Sequence, residues 1–157
     1  MFAESQDEHR WLQRLLGDWT FETECRTSAD GPVEKMPGRT HFKSIGGLWV
    51  AGTQLSRGPD GQDYEAVFTL GFDPKRGRYV GTFIASMMTY LWLYDGAIDS
   101  AGALVLDAEG PAMTGEGTAK YQDVIEIVSE DRWVLSSRML GEDGQWHQFM
   151  TQENRRV

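Results

Sequence analysis

Two hydrophobic periods follow one another along the chain. In Glu8-His9-Arg10-Trp11-Leu12-Gln13-Arg14-Leu15-Leu16, the residues Trp11, Leu12, Leu15 and Leu16 fall on one face at helical spacing, with Arg10, Gln13 and Arg14 opposite. This predicts an amphipathic helix over about residues 6–16, opened by a Ser5 and Glu8 capping box and stopped by Gly17. A helix of about three turns is marginal alone, so its apolar face must lie on something. From Asp18 onward the period is two. Trp19, Phe21, Thr23 and Cys25 share one face and Thr20, Glu22, Glu24 and Arg26 the other, as in a strand half buried against a core.

Turn chemistry then recurs at strand-length intervals: Asp30-Gly31-Pro32, Gly46-Gly47, Gly58-Pro59-Asp60-Gly61, Asp73-Pro74-Lys75-Arg76-Gly77, Ser100-Ala101-Gly102, Ser129-Glu130-Asp131 and Glu142-Asp143-Gly144. Between these signals lie strands over 39–45, 48–57, 64–72, 78–86, 91–99, 104–109, 118–128, 132–140 and 145–152. With the first strand they make about ten, joined by short links. Short links give antiparallel neighbours in sequence order, a meander, and closing the meander removes two aggregation-prone edges. The expected fold is therefore all-β: an antiparallel meander barrel over about residues 18–154, in one domain spanning 1–157, with the short helix at its start. A sandwich is the runner-up, but it needs longer crossing connections. Barrels of about eight strands or more have room for one small ligand.

Leu16-Gly17-Asp18-Trp19, a Gly-x-Trp that follows a short helix and opens a first strand, resembles the calycin group of lipocalins, fatty-acid-binding proteins and avidins. That resemblance implies an arginine from the end of the last strand, Arg155 or Arg156, packed on Trp19. A second resemblance rests on Gly46-Gly47-Leu48-Trp49, Thr69-Leu70-Gly71-Phe72-Asp73-Pro74, the run from Tyr79 to Phe83 continuing through Ser86 to Gly96, Glu109-Gly110-Pro111, Tyr121 to Glu126, and Glu142-Asp143-Gly144-Gln145-Trp146. Together these segments resemble the bacterial family called domain of unknown function 1579 across nearly the whole chain. The resemblance implies a calycin-like barrel and supplies no catalytic residues to carry over.

Composition narrows the partners. With 157 residues the chain can bury about 70% of the surface its unfolded form exposes, without staples. The one cysteine, Cys25, can form no internal bridge, and the first residues are acidic and polar, so a cytoplasmic location is expected. No stretch is apolar for long enough to span a bilayer as a helix. A net charge of −9 opposes polyanions, so nucleic acid is an unsuitable partner, and the Lys75-Arg76-Gly77-Arg78 and Arg155-Arg156 clusters read as a solvated turn and a chain end.

Candidate chemistry is sparse. No nucleophile motif surrounds any of the three histidines, and no ligand set for a metal or other cofactor stands out. His9 and His41 read as surface residues. His147 depends on parity: it points out if Trp146, Gln148 and Met150 point in, and in the opposite register it enters the barrel, where it could ligate a haem. Asp123 alternates with Tyr121, Ile125 and Ile127 on the inward face, a buried carboxylate able to act with a tyrosine as acid, base or ligand anchor. The alternative for Asp123 is a hydrogen bond to Tyr121, an arginine or a turn backbone. Ligand contact is assigned to Met87, Tyr90, Trp92 and Tyr94 in the segment from Ser86 to Tyr94, with Phe68, Leu70 and Phe83 extending the wall.

Three functions fit. The favoured one is a binding protein that holds an apolar or amphipathic small molecule in the barrel. The alternatives are an acid/base enzyme using Asp123 with a tyrosine, and a structural homodimer with a filled interior.

Overall fold

The computed structural model describes residues 2–26 and 30–157. The helix α1 (Asp7–Gln13) leads into ten strands: β1 (Gly17–Cys25), β2 (Glu34–Ile45), β3 (Trp49–Arg57), β4 (Asp63–Asp73), β5 (Arg78–Ala85), β6 (Trp92–Ile98), β7 (Leu104–Pro111), β8 (Thr118–Ser129), β9 (Arg132–Leu140) and β10 (Trp146–Arg156). Each strand pairs antiparallel with the next, and β1 pairs with β10, from Trp19 opposite Arg156 to Cys25 opposite Met150. The meander thus closes into a barrel, as the turn spacing predicts.

The ends of several elements differ from expectation, for local reasons. Helical hydrogen bonding stops at Gln13, and tighter bonds from Leu15 N–H to Leu12 C=O and from Leu16 N–H to Gln13 C=O carry the chain to Gly17. The helix is capped at Gln6 instead of Ser5, because the His9 ring reaches back to accept the Gln6 backbone N–H at 2.9 Å. Strand β2 begins at Glu34, ahead of the expected 39, and includes Pro37. Residues before Gly38 have a partner only on the β1 side, so this stretch is locally an edge and tolerates proline.

Large side chains fill the end of the barrel that α1 covers. Leu12 and Leu15 are fully buried there, packed with Trp19, Phe42, Val50, Leu70, Leu104 and Trp133. Trp19 donates its indole N–H to the Leu15 carbonyl at 2.8 Å. The Arg156 guanidinium lies over the Trp19 ring, 4.1 Å from its centroid, and donates to the Leu16 carbonyl, so Arg156 makes the expected contact. Gly17 takes φ +112°, which favours glycine at the turn from helix to barrel, and a Cβ there would push on the end of the Arg156 guanidinium at 2.7 Å. His9 corrects its surface assignment. It is buried, T-shaped against Phe72, and with Nδ1 occupied by Gln6 its Nε2–H donates to the Phe72 carbonyl at 3.1 Å. It fastens the helix to β4.

Candidate functional site

Alternation in the strands decides what faces the interior, and the inward side chains change size along the barrel axis. At the helix end they are the bulky plug just described. Toward the other end small residues take inward positions, among them Gly38, Ser56, Ala66, Ala85, Ala108 and Ser137. Aromatic rings line the same region: Phe68 against Phe83 at 4.6 Å, Trp92 against Tyr121 at 5.1 Å, and Tyr121 against Phe149 at 6.2 Å between centroids. Gly110 lets Trp92 lie flat on the wall, since a Cβ there would sit 2.3 Å from the indole.

Polar groups occupy the inward positions about midway along the strands, between plug and mouth. On one side Thr40 of β2 stands opposite Gln54 of β3. The Thr40 hydroxyl and the Gln54 carboxamide nitrogen are buried and have no hydrogen-bond partner among the described residues. Past Phe21 on β1, Thr23 donates to Gln152 of β10 at 3.0 Å, and Gln152 donates to Asn154 at 3.0 Å. Across the barrel Asp123 of β8 receives the Ser137 hydroxyl on one carboxylate oxygen and the Tyr94 hydroxyl on the other, each at 2.5 Å. Asp123 is partly exposed on an inward position of β8, opposite Leu106 and Ser137. Among the described residues it forms no ion pair.

Burial pushes the Asp123 carboxyl above the usual carboxylate range, while the bonds from Ser137 and Tyr94 pull the other way. The Tyr94 hydroxyl rises well above the ordinary phenol range, first from burial and then from the Asp123 charge. The Cys25 thiol, on an inward position near the mouth, is raised by burial and by Glu34. This arrangement can accept hydrogen bonds strongly and can hold a proton at Asp123.

The predicted residues divide among these regions. Tyr94, Phe68, Phe83 and Trp92 all face the interior, and the Tyr94 and Phe68 rings stack at 6.4 Å. Leu70 lies deeper, fully buried in the plug. Tyr90 precedes β6; it leans on Trp92 at the mouth and donates to the Glu109 carbonyl. Met87 is exposed beside it, in the link between β5 and β6. Tyr121 shares the inward face with Asp123, but its hydroxyl donates to the Pro111 carbonyl at 2.6 Å, so the tyrosine on Asp123 is Tyr94.

His147 follows neither simple parity. A bulge between Gln148 and Met150 resets the alternation, so Met150 opposite Ser137 and His147 opposite Met139 both take inward positions. The His147 ring sits exposed at the rim, 2.9 Å from the Asp143 carboxylate. His41 is exposed as expected and pairs with Asp18. No group of three or more potential ligands capable of holding a metal ion occurs among the described residues. Thr40, Gln54, Ser137 and Gln152 carried a weaker signal in the sequence, that of polar residues at inward positions of alternating strands. Two open hollows of about 520 and 530 Å³ lie on the outer wall, lined in part by Thr20, Glu22, Glu24 and Arg155 and by Arg39, Arg57 and Asp63. They lie away from Asp123 and its partners, and the interior holds the convergent chemistry. No described helix is long and apolar enough to cross a membrane.

The family described as "Protein of unknown function (DUF1579)" matches residues 4–156. No match was found among curated proteins. Among solved structures, the S-type phycobiliprotein lyase CPES from Guillardia theta is 10% identical with a TM-score of 0.64, covering 94% of this chain and 91% of its own. Rv2717c from M. tuberculosis is 14% identical with a TM-score of 0.64, covering 98% and 99%. A redesigned β-barrel, b11L5F_LGL, is 12% identical with a TM-score of 0.50, covering 99% of both. At these identities the likeness is one of fold.

Proposed function

We propose that this chain, which belongs to the DUF1579 family of proteins of unknown function, takes a small amphipathic molecule into the end of its barrel opposite the helix. The apolar body lies against Phe68, Phe83 and Trp92, and the polar end reaches the band at mid-depth. The observation that carries this reading is the pair of buried, unpartnered polar groups on Thr40 and Gln54, set in a wall that faces the interior beneath an aromatic mouth. Leaving such a group unsatisfied costs about 1–3 kcal/mol, so a guest or ordered water that satisfies it is stabilised there.

Nile red, a neutral apolar dye, tests the reading. Ala66 is half-buried on β4, opposite Gln54 and Ala85, so Ala66→Phe puts a ring among the small inward residues beside Gln54. Wild type should bind the dye saturably at one site per chain, and the folded variant should bind it at least about tenfold more weakly. Equal binding to both would place the dye elsewhere and refute the reading.

A second reading, acid/base chemistry on the bound molecule, is favoured by the Tyr94, Asp123 and Ser137 cluster alone. A carboxyl raised by burial, bonded to a phenol, can pass a proton to a substrate in the interior.

A further inference from the structure

Among the described residues, two neutral hydroxyls and no cation bond Asp123. Its oxygens accept from Ser137 and Tyr94, and among the described residues it has no ion pair. A buried carboxylate without a counter-charge is costly, and two hydroxyl bonds offset only part of that cost. The groups around it are aromatic: Tyr94 bonded to it and stacked on Phe68, Tyr121 two residues away on the same face, and Trp92 edge-on to Tyr121. Aromatic faces attract cations through their quadrupole, and a chain of net charge −9 raises the local concentration of cations around it.

We propose that the molecule held in the barrel is an amphipathic organic cation, whose protonated nitrogen is seated on Asp123 and whose apolar body lies along Phe68, Phe83 and Trp92. This rests on the interior-binding reading above and deepens it. The amine nitrogen supplies the missing counter-charge and donates N–H bonds to the lone pairs that Ser137 and Tyr94 leave free.

The proposal sets the pH dependence. The other titratable groups on inward positions near Asp123 are Tyr94 on β6, Tyr121 on β8 and Cys25 on β1, with His147 of β10 at the rim; β7 and β9 place Leu106, Ala108, Ser137 and Met139 toward it. Tyr94, Tyr121 and Cys25 all have raised pKa values and stay neutral around pH 7. Asp123 is therefore the acid whose ionisation creates the cation site. Because its pKa is raised, the preference for a cation grows as pH rises through that value, and an amine entering below it displaces a proton.

The test is competition against Nile red by 4-phenylbutylamine, 4-phenylbutan-1-ol and 4-phenylbutyrate, which share a body and differ in charge. At neutral pH the amine should displace the dye at a concentration at least about tenfold below that of the alcohol, with the carboxylate weakest. In Asp123→Asn the amine-to-alcohol ratio should fall to about one while the alcohol itself changes little. In wild type the ratio should fall as pH is lowered, and Tyr94→Phe, which removes a bond that favours the ionised carboxyl, should move that fall to higher pH. An amine no better than the alcohol in wild type, or an undiminished preference in Asp123→Asn, overturns the proposal. If Asp123→Asn does not fold, a wild-type ratio that ignores pH from about 4 to 8 overturns it instead. Dye binding that none of the three probes disturbs overturns the cation while leaving the interior site standing. Dye binding indifferent to Ala66→Phe overturns both.

Discussion

Asp123 makes the native state sensitive to pH in an uncommon direction. Most carboxylates in folded proteins are held below their unfolded values and contribute stability as they ionise, as Asp95 does beside Arg78 and Arg76. Asp123 is raised, so the folded state binds its proton more tightly than the unfolded state does. Its favourable contribution is fully present below the unfolded carboxylate value and is lost as pH rises through the folded one. Asp123→Asn removes that loss, so chemical denaturation should find the variant more stable than wild type at pH 7, with the difference shrinking below about pH 4. The sequence placed Asp123 on the inward face through simple alternation with Tyr121 and Ile125. It could not supply the partner, because Tyr94 reaches Asp123 from β6 across the intervening β7, at Leu106, a relation fixed by the registers of three strands. His147 escaped for a related reason, since one bulge residue at Phe149 reverses parity and leaves no composition cue.

The helix and the first strand form the closure of the narrow end. Leu12 and Leu15 fill the space between Trp19, Val50 and Leu70, while His9 and Arg156 tie α1 to β4 and to the last strand. Leu12→Ala should cost about 2–5 kcal/mol in thermal or denaturant unfolding, because its side chain is fully buried in the cluster with Leu15, Trp19, Val50 and Leu70. This element was legible from periodicity, since four apolar residues at helical spacing need a surface and the barrel end provides it. Its exact limits were not, because the helix start is set by the His9 ring, which accepts the Gln6 backbone N–H while its other nitrogen is held by the Phe72 carbonyl. Strands were legible through their turns, although β2 starts at Glu34, ahead of the expected 39, and includes Pro37. In the barrel this stretch lies past the first β3 pairing, where Lys35 bridges Glu22 and Glu24 on the outer face.

At the scale of the whole molecule, the barrel combines a plugged end with an opposite end whose inward residues are smaller and whose rim is aromatic. Closure pairs every strand on both sides apart from local stretches such as the start of β2, and alternation sends most charged residues outward, where Arg76 ahead of β5, Arg78, Asp95 and Asp107 form a ladder reaching β7. The inward set is then free to be graded by size and polarity. Short connections and strict alternation made the closed meander readable from the chain. The polar band at mid-depth was harder to read, because it assembles single residues from strands far apart in sequence.

Methionines report directly on which surface a guest occupies. Met139 and Met150 take inward positions on β9 and β10, whereas Met87 is exposed outside the mouth. In a methyl NMR titration of methionine-labelled protein with Nile red, Met139 and Met150 should shift together and saturate at one dye per chain while Met87 stays in place. Shifts confined to Met87, or saturation with Met139 and Met150 unmoved, would contradict a binding site inside the barrel.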